Sequence, residues 1–81
     1  MRLFISNLNR FTTLPQIVSL LLPFGFIKSA HFIFNAKNGN SQGSAFVEME
    51  EYNAGQSAIR ELNDLRFMNC FIKVEETTAN A

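Results

Sequence analysis

Residues 44–49, Ser44-Ala45-Phe46-Val47-Glu48-Met49, decide how this chain folds. Ala45, Val47 and Met49 are small or apolar, and they alternate with Ser44, Phe46 and Glu48. A period of two marks a strand with one side in a core and one side open. The open side here carries a phenylalanine between a serine and a glutamate, so either something binds it or something covers it.

Outward from this strand, the preceding segment Asn35–Gly43 is rich in turn formers and contains Asn38-Gly39. It predicts a hairpin back to a strand at Ile27–Phe34. In that strand Ala30, Phe32 and Phe34 share one face, while Ser29, His31 and Ile33 share the other. Further upstream, Thr13 and Gln16 have the spacing of a capping box, and Pro15 suits a first helical turn. Leu14, Ile17, Leu20 and Leu21 then recur at helical spacing until Pro23 and Gly25 end the pattern. The chain starts with a strand at Arg2–Leu8, in which Leu3 and Ile5 alternate with Arg2, Phe4 and Ser6, followed by a loop to Phe11.

Downstream, Tyr52–Leu62 reads as a helix with an apolar stripe of Ala54, Ala58, Ile59 and Leu62. Gly55 inside it costs roughly 1 kcal/mol relative to alanine. Phe71–Glu75 reads as a last strand, with Ile72 and Val74 inward. The order is βαββαβ. It predicts an α+β, ferredoxin-like sandwich: a four-stranded antiparallel sheet of order 4-1-3-2 with two helices on one face. One domain spans residues 1–76, and residues 77–81 form a frayed tail.

Alternation also assigns the uncovered face. It gathers Phe4, Phe46 and Phe71 beside Arg2, His31 and Lys73, with Ser44, Glu48 and Ile33 around them. Exposed rings flanked by cations suit unstacked nucleobases, whose phosphates the cations can pair. Lys37, in the loop before residue 44, is a further candidate phosphate contact.

Composition narrows the function. The chain has 81 residues and zero formal net charge, so it lacks the positive excess that drives nonspecific nucleic-acid binding. Its one cysteine, Cys70, cannot form an internal disulfide, which points to a reducing, intracellular compartment: cytoplasmic, or nuclear in a eukaryote. A half-buried, unreactive thiol is expected there. The start shows no signal-peptide pattern, and the longest apolar stretch, Leu20–Ile27, is far short of a membrane span. Metal carriers of this βαββαβ plan need a cysteine pair near the first loop, and acylphosphatase-like enzymes need a Gly-rich phosphate cradle there. Asn7–Thr13 offers neither. No enzyme activity, cofactor or metal is expected, and a monomer is expected over a dimer.

Two stretches carry a family resemblance. Leu3-Phe4-Ile5-Ser6-Asn7-Leu8 resembles the short RNP motif of the RNA-recognition-motif family, and Gln42-Gly43-Ser44-Ala45-Phe46-Val47-Glu48-Met49 resembles the long one at Gly43, Ala45, Phe46 and Val47. Phe24-Gly25, Ala58-Ile59, Leu62-Asn63 and Ile72-x-Val74 also fit, so the resemblance covers essentially the whole chain, in the manner of small stand-alone members, many of them bacterial. It implies single-stranded RNA binding over two to four nucleotides, with Phe4 and Phe46 stacking on adjacent bases. The family's usual aromatic and basic positions are here Ser44 and Gln42, a departure that implies weak binding. Single-stranded DNA is a related ligand, and a protein partner on the sheet or helix face is the competing function.

Overall fold

The structure is a computed structural model, and it describes residues 1–34 and 41–78. The side chains of Phe34, Ser41 and Gln42 fall outside that description, as do Lys37, the Asn38-Gly39 turn and the last residues of the expected tail. In chain order the described elements are β1 (Arg2–Ser6), α1 (Leu14–Leu21) with a 3-10 turn at Leu22–Phe24, β2 (Ile27–Phe34), β3 (Ser41–Met49), α2 (Tyr52–Leu62), β4 (Arg66–Phe67), β5 (Cys70–Phe71) and β6 (Lys73–Glu76). Four of the strands form one antiparallel sheet in the order β2-β3-β1-β6, which is the 4-1-3-2 arrangement expected, with β6 as the last strand.

The core forms where the alternation said it would. Leu3 and Ile5 from β1, Ala45, Val47 and Met49 from β3, and Val74 from β6 are all buried, together with Ile72. Ile17 and Leu21 from α1 and Ala54, Ala58 and Leu62 from α2 close over them. Neither helix can bury its apolar stripe except against this sheet, so both lie on the same side. The start of α1 is fixed by its capping box, in which the Gln16 Oε1 accepts from the Thr13 N–H at 2.8 Å. A Cβ built on Gly55 of α2 would run into the Met1 side chain, so the helix passes close over the start of β1 at this residue.

The last strand differs from expectation. Phe71 is not in the four-stranded sheet. Cys70–Phe71 pairs with Arg66–Phe67 in a separate two-stranded hairpin, and the sheet strand begins at Lys73. Met68 and Asn69 take φ of 52° and 64°, the left-handed pair that a two-residue hairpin turn requires. Met-Asn lacks the glycine that announces such turns, which is why the sequence hides it. The third strand also starts earlier than Ser44, at Ser41, through a shift in register between the Ile33–Ser44 and Phe34–Ser41 pairs.

Gly43 sits within that shift at φ 75°, and its carbonyl accepts from the Leu8 N–H at 2.9 Å. A Cβ there would stand 2.9 Å from the Leu8 carbonyl oxygen in a backbone region that side chains avoid. Gly43→Ala is therefore expected to destabilise the fold by about 2 kcal/mol. Thermal unfolding should show a midpoint lowered by roughly 10 °C.

Candidate functional site

With both helices on one side, neither covers the other side of the sheet, and register arranges its residues in rows. Phe4 pairs directly with Phe46 across β1 and β3, His31 pairs with Phe46 across β2 and β3, and Phe4 pairs with Glu75 on β6. One row thus crosses all four strands: His31, Phe46, Phe4, Glu75. The ring centroids of Phe4 and Phe46 are 5.4 Å apart with planes tilted by 49°, and those of His31 and Phe46 are 5.8 Å apart at 40°. Tilted rings at this spacing attract one another, so the row is partly held in shape before anything binds. Phe4 and Phe46 are half-buried and His31 is exposed.

A second row is electrostatic. Arg2 and Ser29 flank Glu48 by register, and the Arg2 guanidinium donates to the Glu48 Oε1 at 3.0 Å. Lys28 reaches the Glu48 Oε2 at 3.3 Å. Lys28 was not a sequence candidate because strict alternation puts it on the helix side with Ala30. A bulge intervenes: Ile27 pairs with Met49 while Ser29 pairs with Glu48, so Ile27 turns to the core and Lys28 to the open face. The apolar Ile27, standing where alternation asks for an open-face residue, was the available signal. Hydrogen bonds from Arg2 and then Lys28 hold the Glu48 carboxyl below the usual glutamate range.

The third row sets Ile33 beside Ser44 and Ser6 beside Lys73, whose ammonium donates to the Asp64 carboxylate. Phe71 lies next to this end of the sheet on the β4–β5 hairpin, 59% exposed, and its carbonyl accepts from the Asn7 side-chain amide at 2.8 Å. Asn7 thus braces the end of β1 against the β4–β5 hairpin. The structure therefore brings together Phe4, Phe46, His31, Arg2, Ser44 and Lys73 on one face and leaves Phe71 at its margin. Cys70 is half-buried.

Chemically this is a flat, ring-bearing platform with cations at its edges, each cation already engaged by a carboxylate. Among the described residues no cluster of three histidine, cysteine, aspartate or glutamate side chains could hold a metal, and no helix is long and apolar enough to cross a membrane.

A family model for the RNA recognition motif matches residues 3–73. Among solved structures, the RNA-binding protein PG1 superposes with a TM-score of 0.94 at 33% identity, over 100% of this chain and 98% of that one. The RNA15 RRM superposes with a TM-score of 0.88 at 25% identity, over 94% and 87% of the two chains. The Sxl-lethal protein of a protein/RNA complex gives a TM-score of 0.85 at 25% identity, over 91% of this chain and 46% of that one.

Because the native carboxyl of Glu48 titrates below its ordinary value, the stability it contributes is complete above the ordinary value of 4.5 and is lost as pH falls through the depressed native value. Urea unfolding across pH 3–6 should show Glu48→Gln with a flatter acid limb than the parent. Equal slopes in the two proteins would show that the Arg2 and Lys28 contacts do not act on stability.

Proposed function

The chain belongs to the RNA recognition motif family, and from that premise we propose that it binds single-stranded RNA by stacking two adjacent bases on Phe4 and Phe46. The observation that carries this reading is the direct pairing of those two residues, 5.4 Å apart on a face that neither helix covers. His31 extends the stacking row on β2, and Ser44 lines its flank. Two to four nucleotides fill the width of such a sheet.

Binding is weak and only modestly salt-dependent. Zero net charge gives little counterion release. Gln42 and Ser44 replace the cation and ring that relatives of this kind use at those positions. Arg2 and Lys28 meet phosphate only in competition with Glu48, and Lys73 only in competition with Asp64. Single-stranded DNA offers the same rings and phosphates without the 2′-hydroxyl, and binds on the same face. The half-buried lone thiol of Cys70 suits a reducing interior, and the protein works there as a monomer without catalysis.

A protein partner is the second reading. It is favoured by Leu22 of the 3-10 turn, Phe26 just before β2 and Tyr52 at the start of α2, which are exposed at 56%, 69% and 58%. The Phe26 carbonyl accepts from the Glu50 N–H at 2.9 Å, which keeps these residues at one corner.

Amide shifts followed by NMR during titration with random short single-stranded RNAs separate the readings. Saturable shifts at Phe4, Phe46 and their strand neighbours are expected. Phe4→Ala and Phe46→Ala should each weaken binding by about 1–3 kcal/mol, the contribution of one stacked base. A silent sheet at millimolar RNA would reject the stacking role and turn attention to the Leu22–Phe26–Tyr52 corner.

A further inference from the structure

Resting on the sheet-face reading above, we propose that the loop between β1 and α1 carries an additional nucleobase subsite. Phe11, backed by Arg10, takes a base of the single-stranded RNA beyond those seated on the sheet.

Phe11 is 72% exposed, more than any other large apolar side chain described. A mobile loop would recover that cost by folding the ring inward. This loop is held in place on both sides of the ring. The Asn9 Oδ1 accepts from the Phe11 N–H at 2.8 Å, and the Asn9 carbonyl accepts from the Thr12 N–H at 2.9 Å. The Asn9 side-chain amide donates to the Met68 carbonyl at 2.9 Å, and the Thr12 hydroxyl donates to the Met68 sulfur at 3.4 Å. Asn9 and Thr12 thus clamp the loop to the β4–β5 turn and leave the ring between them in solvent. The Arg10 guanidinium carbon lies 5.2 Å from the Phe11 ring centroid. A ring with a cation beside it is the pairing that a stacked base and its phosphate need.

The loop is also at the right corner. β1 runs antiparallel to β3 and β6, so its C-terminal end meets the start of both: Leu8 bonds to Gly43, and Ser6 pairs with Lys73. Asn7 ties the same corner to the exposed Phe71. Charge distinguishes the two ends of β1. Among the described residues, Glu48, Glu50, Glu51 and Glu76 outweigh Arg2, Lys28 and the Met1 ammonium around its start. Around its C-terminal end, Arg10, Arg66 and Lys73 outweigh Asp64. A polyanion longer than the ring row is repelled from the first end and drawn to the second. There the exposed rings are Phe71 and then Phe11.

The test is a length comparison. The parent protein, Phe11→Ala, Phe11→Trp, Arg10→Gln and Phe46→Ala are titrated with random-sequence pools of RNA trinucleotides and octanucleotides, and binding is read by calorimetry. Phe11→Ala should weaken octanucleotide binding about fivefold or more while leaving the trinucleotide unchanged. Phe11→Trp should restore it, Arg10→Gln should weaken the octanucleotide alone, and Phe46→Ala should weaken both lengths. If Phe11→Ala and Arg10→Gln bind the octanucleotide like the parent while Phe46→Ala does not, the loop subsite is overturned and the sheet reading stands. If Phe46→Ala changes neither length, the sheet reading falls and the subsite with it. Unchanged thermal unfolding of Phe11→Ala ties any loss to the missing ring.

Discussion

A slip of one residue between β1 and β3 would turn one strand over against the other, carrying Phe4 to the helix side and pushing Leu3 and Ile5 into water. The Leu3–Val47 and Phe4–Phe46 pairs are adjacent rungs of the same ladder. The core and the ring row are therefore two sides of one register, and the burial of Leu3, Ile5, Val47 and Met49 that stabilises the fold also holds the rings out. The site needs no separate scaffold. Its precision comes from strand pairing in the middle of the sheet, where the backbone is least free to move.

Around that fixed centre the electrostatics are restrained. Glu48 accepts from Arg2 and Lys28, and Asp64 accepts from Lys73, so cations on or beside the open face are partnered in the free molecule. Such exposed pairs add little to stability. A phosphate approaching this face would compete with a carboxylate for each of these cations.

Most of this was legible in the sequence wherever a period of two or of 3.6 was unbroken. Leu3/Ile5, Ala45/Val47/Met49 and Ala54/Ala58/Leu62 declared their faces, and the βαββαβ succession of elements was read from the same patterns. What the sequence concealed lay where periodicity breaks. The β2 bulge reversed Ile27 and Lys28 and brought an unforeseen cation to Glu48. The turn at Met68-Asn69, with left-handed backbone and no glycine to signal it, took Phe71 off the last strand. The outward Phe11 was invisible because a loop ring carries no pattern. Only the bonds from Asn9 and Thr12 show that it is held there.

The bulge at Lys28 has an effect on behaviour in a crowd. β2 is one edge of the sheet, and an edge strand of eight residues is a template on which another chain can add its own strand. The bulge breaks the regular run of edge hydrogen-bonding groups and plants an ammonium beside it. At the opposite edge, β6 spans only Lys73–Glu76 and carries three charged side chains among its four residues. A molecule that keeps phenylalanine rings in water is thereby protected against lateral zippering.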